Sequence, residues 1–161
     1  MLFRSIDVVL TSPKLRAIQT AEPLATLLGV EPVVMDDLTE YDADADHYIP
    51  MEELRASGDE RFTAMITGEW ERFGGQSVGE FRTRIASALD SIVGAYPGQR
   101  VVAFCHGGVV NMALAVVLGL DRHLWFDPAY TSISRVQASR SGARSVSSVN
   151  ESAHLIAVRS A

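Results

Sequence analysis

The stretch that decides the fold reads Val101-Val102-Ala103-Phe104-Cys105-His106-Gly107-Gly108. Its first five residues are apolar on both alternating faces, which is the pattern of a strand buried between two layers of helices. The His-Gly-Gly turn then opens an apolar run that reaches Leu118 and stops at Gly119, so a helix is expected there. A buried strand that turns sharply into a helix is typical of an α/β fold.

The beginning of the sequence repeats this order of strand, turn and helix. The apolar run Ile6 to Leu10 is followed by Thr11-Ser12-Pro13, which offers an N-cap and a proline suited to the first helical position. The next helix is expected to kink at Pro23 and to end at Gly29. In open α/β sheets ligands bind beyond the carboxyl ends of the strands, so the turns after both strands are candidate sites.

The remaining segments fit one α/β domain. A stripe of apolar residues from Phe81 to Tyr96 predicts a helix that stops at Pro97-Gly98. Ser132 to Gln137 and Ser145 to Val149 alternate like antiparallel or edge strands. We therefore expect a three-layer α/β/α sandwich with a mostly parallel, mixed sheet, in a single domain that covers residues 1–161.

Composition and charge exclude several classes of protein. A formal net charge of -6 argues against nucleic-acid binding, which relies on a stripe of Lys and Arg. The single cysteine, Cys105, cannot form an internal disulfide, and no Cys/His pairs stand at the spacing of a structural zinc site, so no metal is expected. Walker and dinucleotide-binding glycine patterns are also absent, and no cofactor is expected. The longest apolar stretch after His106, Val109 to Leu120, is shorter than the roughly 20 residues that span a bilayer. We expect a cytoplasmic protein that does not bind membranes.

Two side chains near the strand ends are candidates for binding an anion. Arg16 lies in the first turn of its helix, where the macrodipole disfavours a positive charge unless an anion is nearby. His106 ends the second of these strands, and Gly107 lets the backbone approach a ligand closely. A solvated surface arginine and a hydrogen-bonded core histidine remain the alternatives for these positions. Cys105 is interpreted as an inert, buried thiol, because no second histidine is placed to ionise it.

A dense set of carboxylates from Asp36 to Asp46 predicts an exposed loop. The segment lacks the central glycine and the terminal glutamate of a calcium-binding EF-hand, so no calcium site is predicted there. Most of these residues are expected to be solvated, and only Glu40, in Leu38-Thr39-Glu40, is a candidate for chemistry.

Four motifs resemble, in order and spacing, those of the histidine phosphatase superfamily, the phosphoglycerate mutase-like group. They are Leu10-Thr11-Ser12-Pro13-Lys14-Leu15-Arg16-Ala17-Ile18-Gln19-Thr20-Ala21, Leu38-Thr39-Glu40, Gly75-Gln76-Ser77 ahead of a helix that carries Arg84, and Phe104-Cys105-His106-Gly107-Gly108. The resemblance extends over nearly the whole chain. It implies a phosphatase that hydrolyses phosphomonoesters, in which a histidine attacks phosphorus and the phosphohistidine is then hydrolysed.

The resemblance also implies a role for each matching residue. Arg16 would grip the phosphate through a forked contact, and His106, with Gly107, would bind the same group. Glu40 matches the family acid, which protonates the leaving oxygen and then helps to deprotonate water. The partner would be a small phosphorylated substrate or inorganic phosphate, and positioning and charge stabilisation would suffice without a metal.

One element of the family pattern is not found in this sequence. The family's nucleophile lies in an Arg-His-Gly motif at the end of the first strand, and the only His-Gly here is at His106. Relative to the family, the domain is therefore expected to be truncated at its N-terminus and to lack a first, interior strand with the nucleophile and one phosphate-binding arginine. Gln76 also replaces the usual glutamate of Gly-Glu-Ser.

Three other functions stay open. The chain could be a non-catalytic phosphate-binding or interaction domain derived from the family. His106 could itself have become the nucleophile, or the reaction could be a phosphoryl transfer of the phosphoglycerate mutase type. Phosphatase is preferred over mutase because the short segment between Glu40 and Gly75 leaves little room for a capping insertion.

Overall fold

The computed structural model describes residues 6–42 and 49–155. Asp44 and Asp46 of the expected acidic loop fall in 43–48 and lie outside the described residues. The fold is α/β, as predicted, and contains a parallel sheet with helices packed on it. Across the described part of the chain, no helix is both long and apolar enough to cross a membrane.

A three-stranded parallel sheet forms the centre of the described part. It contains β1 (Val8–Thr11), β2 (Val33–Val34) and β3 (Val101–Phe104), with β1 in the middle. Two further strands, β4 (Ile133–Ala138) and β5 (Arg144–Glu151), pair with each other in antiparallel fashion. The expected antiparallel strands are thus present, but among the described residues they form a separate sheet and are not joined to the parallel one.

Five α-helices accompany these strands in the described residues. They are α1 (Leu15–Leu28), α2 (Met51–Ser57), α3 (Glu60–Thr67), α4 (Val78–Ala95) and α5 (Gly107–Leu118). Short 3₁₀ helices cover Asp36–Leu38, Trp70–Phe73 and Ala153–Leu155. α1 packs on β1 and β3, whereas α4 packs on α5.

The start of α1 differs from the prediction. Lys14, not Ser12, is the N-cap, and the helix begins at Leu15. The Ser12 hydroxyl oxygen accepts from the Lys14 main-chain N–H at 3.3 Å, which is too early in the chain to cap the helix, and lies 2.8 Å from Nε2 of His106 across the sheet. α1 then continues through Pro23 and ends, as predicted, at a glycine that adopts a left-handed conformation, with φ of 66°.

β3 is less buried than its apolar sequence predicts. Three of its residues are half-buried and Ala103 is exposed. The reason is that β3 pairs with β1 alone among the described strands, so its other edge borders a cleft. The cleft has a volume of about 2980 Å³ and is lined by His106, by β3 and by β4.

The pairing of β1 with β3 brings the two predicted turns together. The strands are parallel, and Thr11 lies opposite Phe104 at their carboxyl ends. Beyond them, the Ser12 amide donates a hydrogen bond to the Phe104 carbonyl oxygen at 2.9 Å. The turns that lead into α1 and α5 therefore lie side by side, at the edge where α/β sheets bind their ligands.

The core contains an aromatic cluster beside the sheet. Phe81 of α4 and Leu10 of β1 are at most 1% exposed. The Phe81 ring packs edge-on against Trp70, with ring centroids 5.5 Å apart, and edge-on against Tyr41 at 6.1 Å. Because Tyr41 directly follows Glu40, the same cluster fixes the segment that carries the candidate acid.

Replacing Phe81 with alanine is expected to lower the free energy of unfolding by about 3–5 kcal/mol, because the change removes a buried ring and leaves a cavity. Denaturant titration measures this loss. Leu27→Ala is the matched control: Leu27 is 81% exposed, so its truncation should change the free energy of unfolding by less than about 0.5 kcal/mol. Equal effects of the two substitutions would contradict the described core.

Candidate active site

Arg16, His106 and Ser12 meet where β1 and β3 end. Nε of Arg16 donates a hydrogen bond to Nδ1 of His106 at 3.2 Å, and Nε2 of His106 lies 2.8 Å from the Ser12 hydroxyl oxygen. Because Nδ1 accepts, the ring proton is assigned to Nε2, which donates to Ser12. The fold thus brings together Arg16 and His106, which lie 90 positions apart in the sequence.

The surroundings of His106 favour its neutral form. Burial, together with the positive charges of Arg16 and Lys14, lowers the pKa of His106 from 6.5 to about 4. A bound anion would offset both positive charges and would be stabilised by them in return. The local electrostatics therefore favour a negatively charged ligand at this place.

Glu40 lies close by, at the N-terminus of α5. Its carboxylate accepts hydrogen bonds from the main-chain N–H of Gly108 at 2.8 Å and of Tyr41 at 3.1 Å. Burial raises the pKa of Glu40 from 4.5 to about 7; the hydrogen bond from Gly108 opposes this rise, and the negative charge of Asp42 adds to it. A carboxyl with such a pKa can donate a proton near neutral pH and take one back.

Gly108 is in close contact with the acid. A Cβ on Gly108 would lie 2.2 Å from Oε1 of Glu40 and 3.0 Å from Cδ1 of Tyr41. The carboxylate can therefore reach the first turn of α5 only because residue 108 has no side chain. Gly107 has more space, since the nearest described atom to a Cβ there would be Cγ of Pro128, at 3.9 Å.

Cys105 does not have the environment of a nucleophile. Burial, reinforced by the negative charge of Glu40, raises the pKa of its thiol to about 12. The thiol is therefore protonated at neutral pH, in agreement with its interpretation as an inert residue. Within residues 6–42 and 49–155, no group of three or more His, Cys, Asp or Glu side chains could hold a metal ion.

Three further residues contribute to the site in ways that the sequence motifs do not specify. Ser12 holds the His106 ring, Asp42 helps to raise the pKa of Glu40, and Arg84 donates to the Thr39 carbonyl oxygen at 2.9 Å. Ser12 and Arg84 belong to the four motifs that resemble the histidine phosphatase superfamily, and this membership is the feature of the sequence that points to them. Asp42 is one carboxylate among many in its segment, and the sequence does not distinguish it.

Most of the chain matches one protein family. The model of the histidine phosphatase superfamily, branch 1, matches residues 3–151. The uncharacterized phosphatase PhoE of Bacillus subtilis is 31% identical over 121 residues, and the bifunctional protein Rv2228c of Mycobacterium tuberculosis is 30% identical over 155 residues. These alignments cover 74% and 93% of this chain. The chain spans 58% of the length of the first relative and 42% of the second.

Solved structures share the fold. YhfR of Bacillus stearothermophilus superposes with a TM-score of 0.77 at 21% identity, over 95% of this chain and 78% of YhfR. The phosphoserine phosphatase of Entamoeba histolytica, solved in complex with 3-phosphoglyceric acid, superposes with a TM-score of 0.71 at 21% identity, over 94% of this chain and 77% of that protein. At this level of identity the likeness establishes the fold alone.

The close contact at Gly108 gives a first prediction for the site. Gly108→Ala is expected to push the Glu40 carboxylate off the helix N-terminus and to lower the free energy of unfolding by about 1–3 kcal/mol, because a buried acceptor loses its donor. Gly107→Ala in the same turn is the control and should be neutral or slightly stabilising, since alanine favours a helix over glycine. Thermal or denaturant unfolding of both variants measures the difference. A tolerated Gly108→Ala would show that Glu40 does not occupy this position.

The raised pKa of Glu40 predicts how stability depends on pH. Between pH 4.5 and about 7 the folded chain holds more of the Glu40 proton than the unfolded chain does, so this contribution to stability falls as pH rises and is lost above about 7. Relative to Glu40→Gln, the wild type should lose on the order of 1 kcal/mol per pH unit in this window. Unfolding titrations at a series of pH values measure the difference.

Two comparisons isolate this effect. His106 contributes with the opposite sign, because its lowered pKa makes stability rise between pH about 4 and 6.5, and subtracting the Glu40→Gln data removes that contribution. Glu80→Gln is the control carboxylate, since hydrogen bonds from Ser77 lower the pKa of Glu80. A difference between wild type and Glu40→Gln that is flat with pH would contradict the burial of an ionisable Glu40.

Proposed function

Because this chain belongs to the histidine phosphatase superfamily, we propose that it serves the hydrolysis of phosphomonoesters through a phosphohistidine intermediate. The observation that carries the proposal is the contact between Arg16 and His106 at the joined ends of β1 and β3. A guanidinium and an imidazole at the carboxyl edge of an α/β sheet are suited to bind a phosphate dianion.

In this proposal the phosphate binds between Arg16 and the N-terminus of α5. The guanidinium holds two phosphate oxygens with its fork, as charged planar donors do. His106 binds the same group through a ring N–H that exchanges its present hydrogen bond for a phosphate oxygen. The dianion offsets the charges of Arg16 and Lys14 that lower the pKa of His106. The open space beside Gly107 lets the phosphate approach the first turn of the helix.

Glu40 is the proposed general acid and base. In the first step a histidine nitrogen bonds to phosphorus, the bond from phosphorus to the leaving oxygen breaks, and that oxygen takes the Glu40 proton. In the second step water attacks phosphorus, the phosphorus–nitrogen bond breaks, and the Glu40 carboxylate accepts a proton from the water. A pKa of about 7 supports both roles at neutral pH.

The nucleophilic histidine in this proposal lies outside the 161 residues, which contain no Arg-His-Gly. Among the described strands β3 pairs with β1 alone, and its other edge borders the cleft that extends to β4. An unpaired strand edge is a template for a further strand. A strand in this cleft could deliver a histidine next to His106, which lines the same cleft.

We also propose that residues 1–161 form one domain of a cytoplasmic enzyme that acts, without a metal, on a small phosphorylated molecule. The net charge of -6 disfavours nucleic acid as a substrate, because it would repel a polyanion. The bound 3-phosphoglyceric acid of the Entamoeba phosphoserine phosphatase is a ligand of the proposed size and charge.

A second candidate function is a domain that binds phosphate or phosphorylated ligands without turnover. The observation in its favour is that the 161 residues lack Arg-His-Gly while Arg16 and His106 are in contact. A third reading, with His106 as the nucleophile, requires this ring to leave its hydrogen bonds to Arg16 and Ser12 before it can attack.

All of these candidate functions require a phosphate site, and binding of inorganic phosphate to the purified chain tests for that site. Arg16→Ala is expected to weaken binding by about 10- to 100-fold, because it removes a charge-assisted contact. Arg16→Lys should fall between, since lysine keeps the charge but not the fork. The exposed Arg122 gives the control, and Arg122→Ala should bind like the wild type. Calorimetry measures the affinities, and equal affinities for the Arg16 and Arg122 variants would overturn the proposed phosphate site.

Hydrolysis of an aryl phosphate separates the enzyme readings from the binding domain. Turnover that is abolished by His106→Ala rules out a domain that only binds, and acid-labile phosphate trapped on His106 identifies His106 as the nucleophile. If phosphate binds without turnover, the reading frame upstream of Met1 distinguishes a binding domain from an enzyme whose nucleophile lies in a preceding strand. An in-frame Arg-His-Gly supports a nucleophile supplied by a preceding strand, and an in-frame stop before any such motif rules that source out.

A further inference from the structure

Arg84 donates to the main chain of the segment that carries the acid. Its Nη1 donates to the carbonyl oxygens of Asp37 and of Thr39, the latter at 2.9 Å, and its Nη2 lies 3.5 Å from the carbonyl oxygen of Glu40. Three carbonyls within four residues thus converge on one guanidinium. Arginine suits this task, because its donors form a rigid planar fork.

The guanidinium is itself held by Gln76, which precedes α4, and by Phe81 of α4. Nε of Arg84 donates to the Gln76 side-chain oxygen at 3.0 Å, and the guanidinium carbon lies 4.9 Å from the centre of the buried Phe81 ring. The main-chain N–H of Gln76 donates to the Tyr41 carbonyl oxygen at 3.0 Å. Gln76 therefore contacts both Arg84 and the residue that follows Glu40.

Because the Gln76 side chain is a neutral amide, it does not form an ion pair with Arg84. The positive charge of Arg84 therefore interacts with the three carbonyl groups of the segment that carries Glu40. A carboxylate at residue 76 would attract the guanidinium through a stronger, paired contact. Burial lowers the pKa of Arg84, while the negative charges of Asp37 and Glu40 raise it. The positive charge of Arg84 is therefore stabilised by carboxylates of the same segment that carries Glu40.

We propose that Arg84, oriented by Gln76, is the positioning residue for the Glu40 acid, an inference that rests on the function proposed for that carboxyl. Glu40 is then fixed at two points. Arg84 holds its main chain, and the Gly108 N–H holds its carboxylate. Both contacts keep the carboxyl buried against α5, where its proton affinity suits acid–base chemistry.

A merely structural role for Arg84 makes a different prediction. If Arg84 only tied α4 to the segment from Asp36 to Leu38, its loss would lower stability and would raise the pKa of Glu40 further, because a nearby positive charge that favours the carboxylate is removed. The positioning role predicts a shift of the opposite sign, to a lower pKa, because a released carboxyl gains water and its burial is the main cause of the raised value. The charged groups that act on Glu40 from its surroundings are Asp42, Arg16 and Arg84, and none except Arg84 is altered in the experiment.

The experiment follows the Glu40 carboxyl carbon by ¹³C NMR against pH in the purified chain without phosphate, with Glu40→Gln used to assign the signal. Arg84→Met is expected to lower the pKa of Glu40 from its raised value toward 4.5, by about one pH unit or more. Arg84→Lys should give a smaller shift in the same direction, since lysine can reach fewer carbonyls at once.

Arg82→Met is the matched control. Arg82 lies on the same helix and donates to the Leu120 carbonyl oxygen at 2.8 Å, away from the acid, so its loss should leave the Glu40 titration in place. Gln76→Leu tests the same idea if Arg84→Met does not fold, because it removes only the acceptor of Nε. A Glu40 pKa that is unchanged or higher in the folded Arg84 or Gln76 variants would overturn the proposal.

The outcome is independent of the proposed function. The titration shift tests whether Arg84 positions Glu40, whereas phosphate binding and turnover of the wild type test what the site does. A shift in a chain that binds no phosphate would keep Arg84 as the positioning residue and reject the phosphatase. Phosphate binding without the expected fall in the Glu40 pKa would support the phosphate site and reject Arg84 as the positioning residue.

Discussion

The parallel pairing of β1 with β3 is the constraint on which the site depends. It aligns Thr11 with Phe104, and the next residues along each strand enter the turns before α1 and α5. The Ser12 amide then bonds to the Phe104 carbonyl oxygen, which leaves the Ser12 hydroxyl beside the His106 ring. A change of register would separate Arg16 from His106, because each is carried by the helix or turn that follows its own strand.

The acid illustrates how opposing forces set one pKa. Burial of Glu40 disfavours its charge, while the Gly108 N–H at the start of α5 favours it. The balance requires the carboxylate to come very close to the helix, which the absence of a side chain at Gly108 permits. The aromatic stack of Tyr41 on Trp70, with ring centroids 4.1 Å apart, holds the chain on the other side of the acid.

The sequence predicts the α/β class, both strand-turn-helix units and the positions of Arg16 and His106, because turns after buried strands restrict residue types locally. It does not predict that Ser12 bonds to His106, since a serine before Pro13 fits a helix cap equally well and only the long-range pairing decides. The exposure of β3 also depends on which strands lie beside it. The raised pKa of Glu40 arises from its burial against the start of α5, where Gly108 lies 68 positions away and cannot be paired with Glu40 from periodicity.

Several hydrogen bonds of this pocket join residues that are far apart along the chain, and Ser12 and His106 are separated by 94 positions. Closing such long loops costs conformational entropy, which the rest of the native structure has to offset. The helices can begin from local interactions, but the pocket exists only once the sheet has closed. An anion that binds here is therefore a ligand of the native state alone, and by mass action it draws partly folded chains toward that state. If these residues bind the proposed anion, its concentration becomes a determinant of how much of the chain is folded.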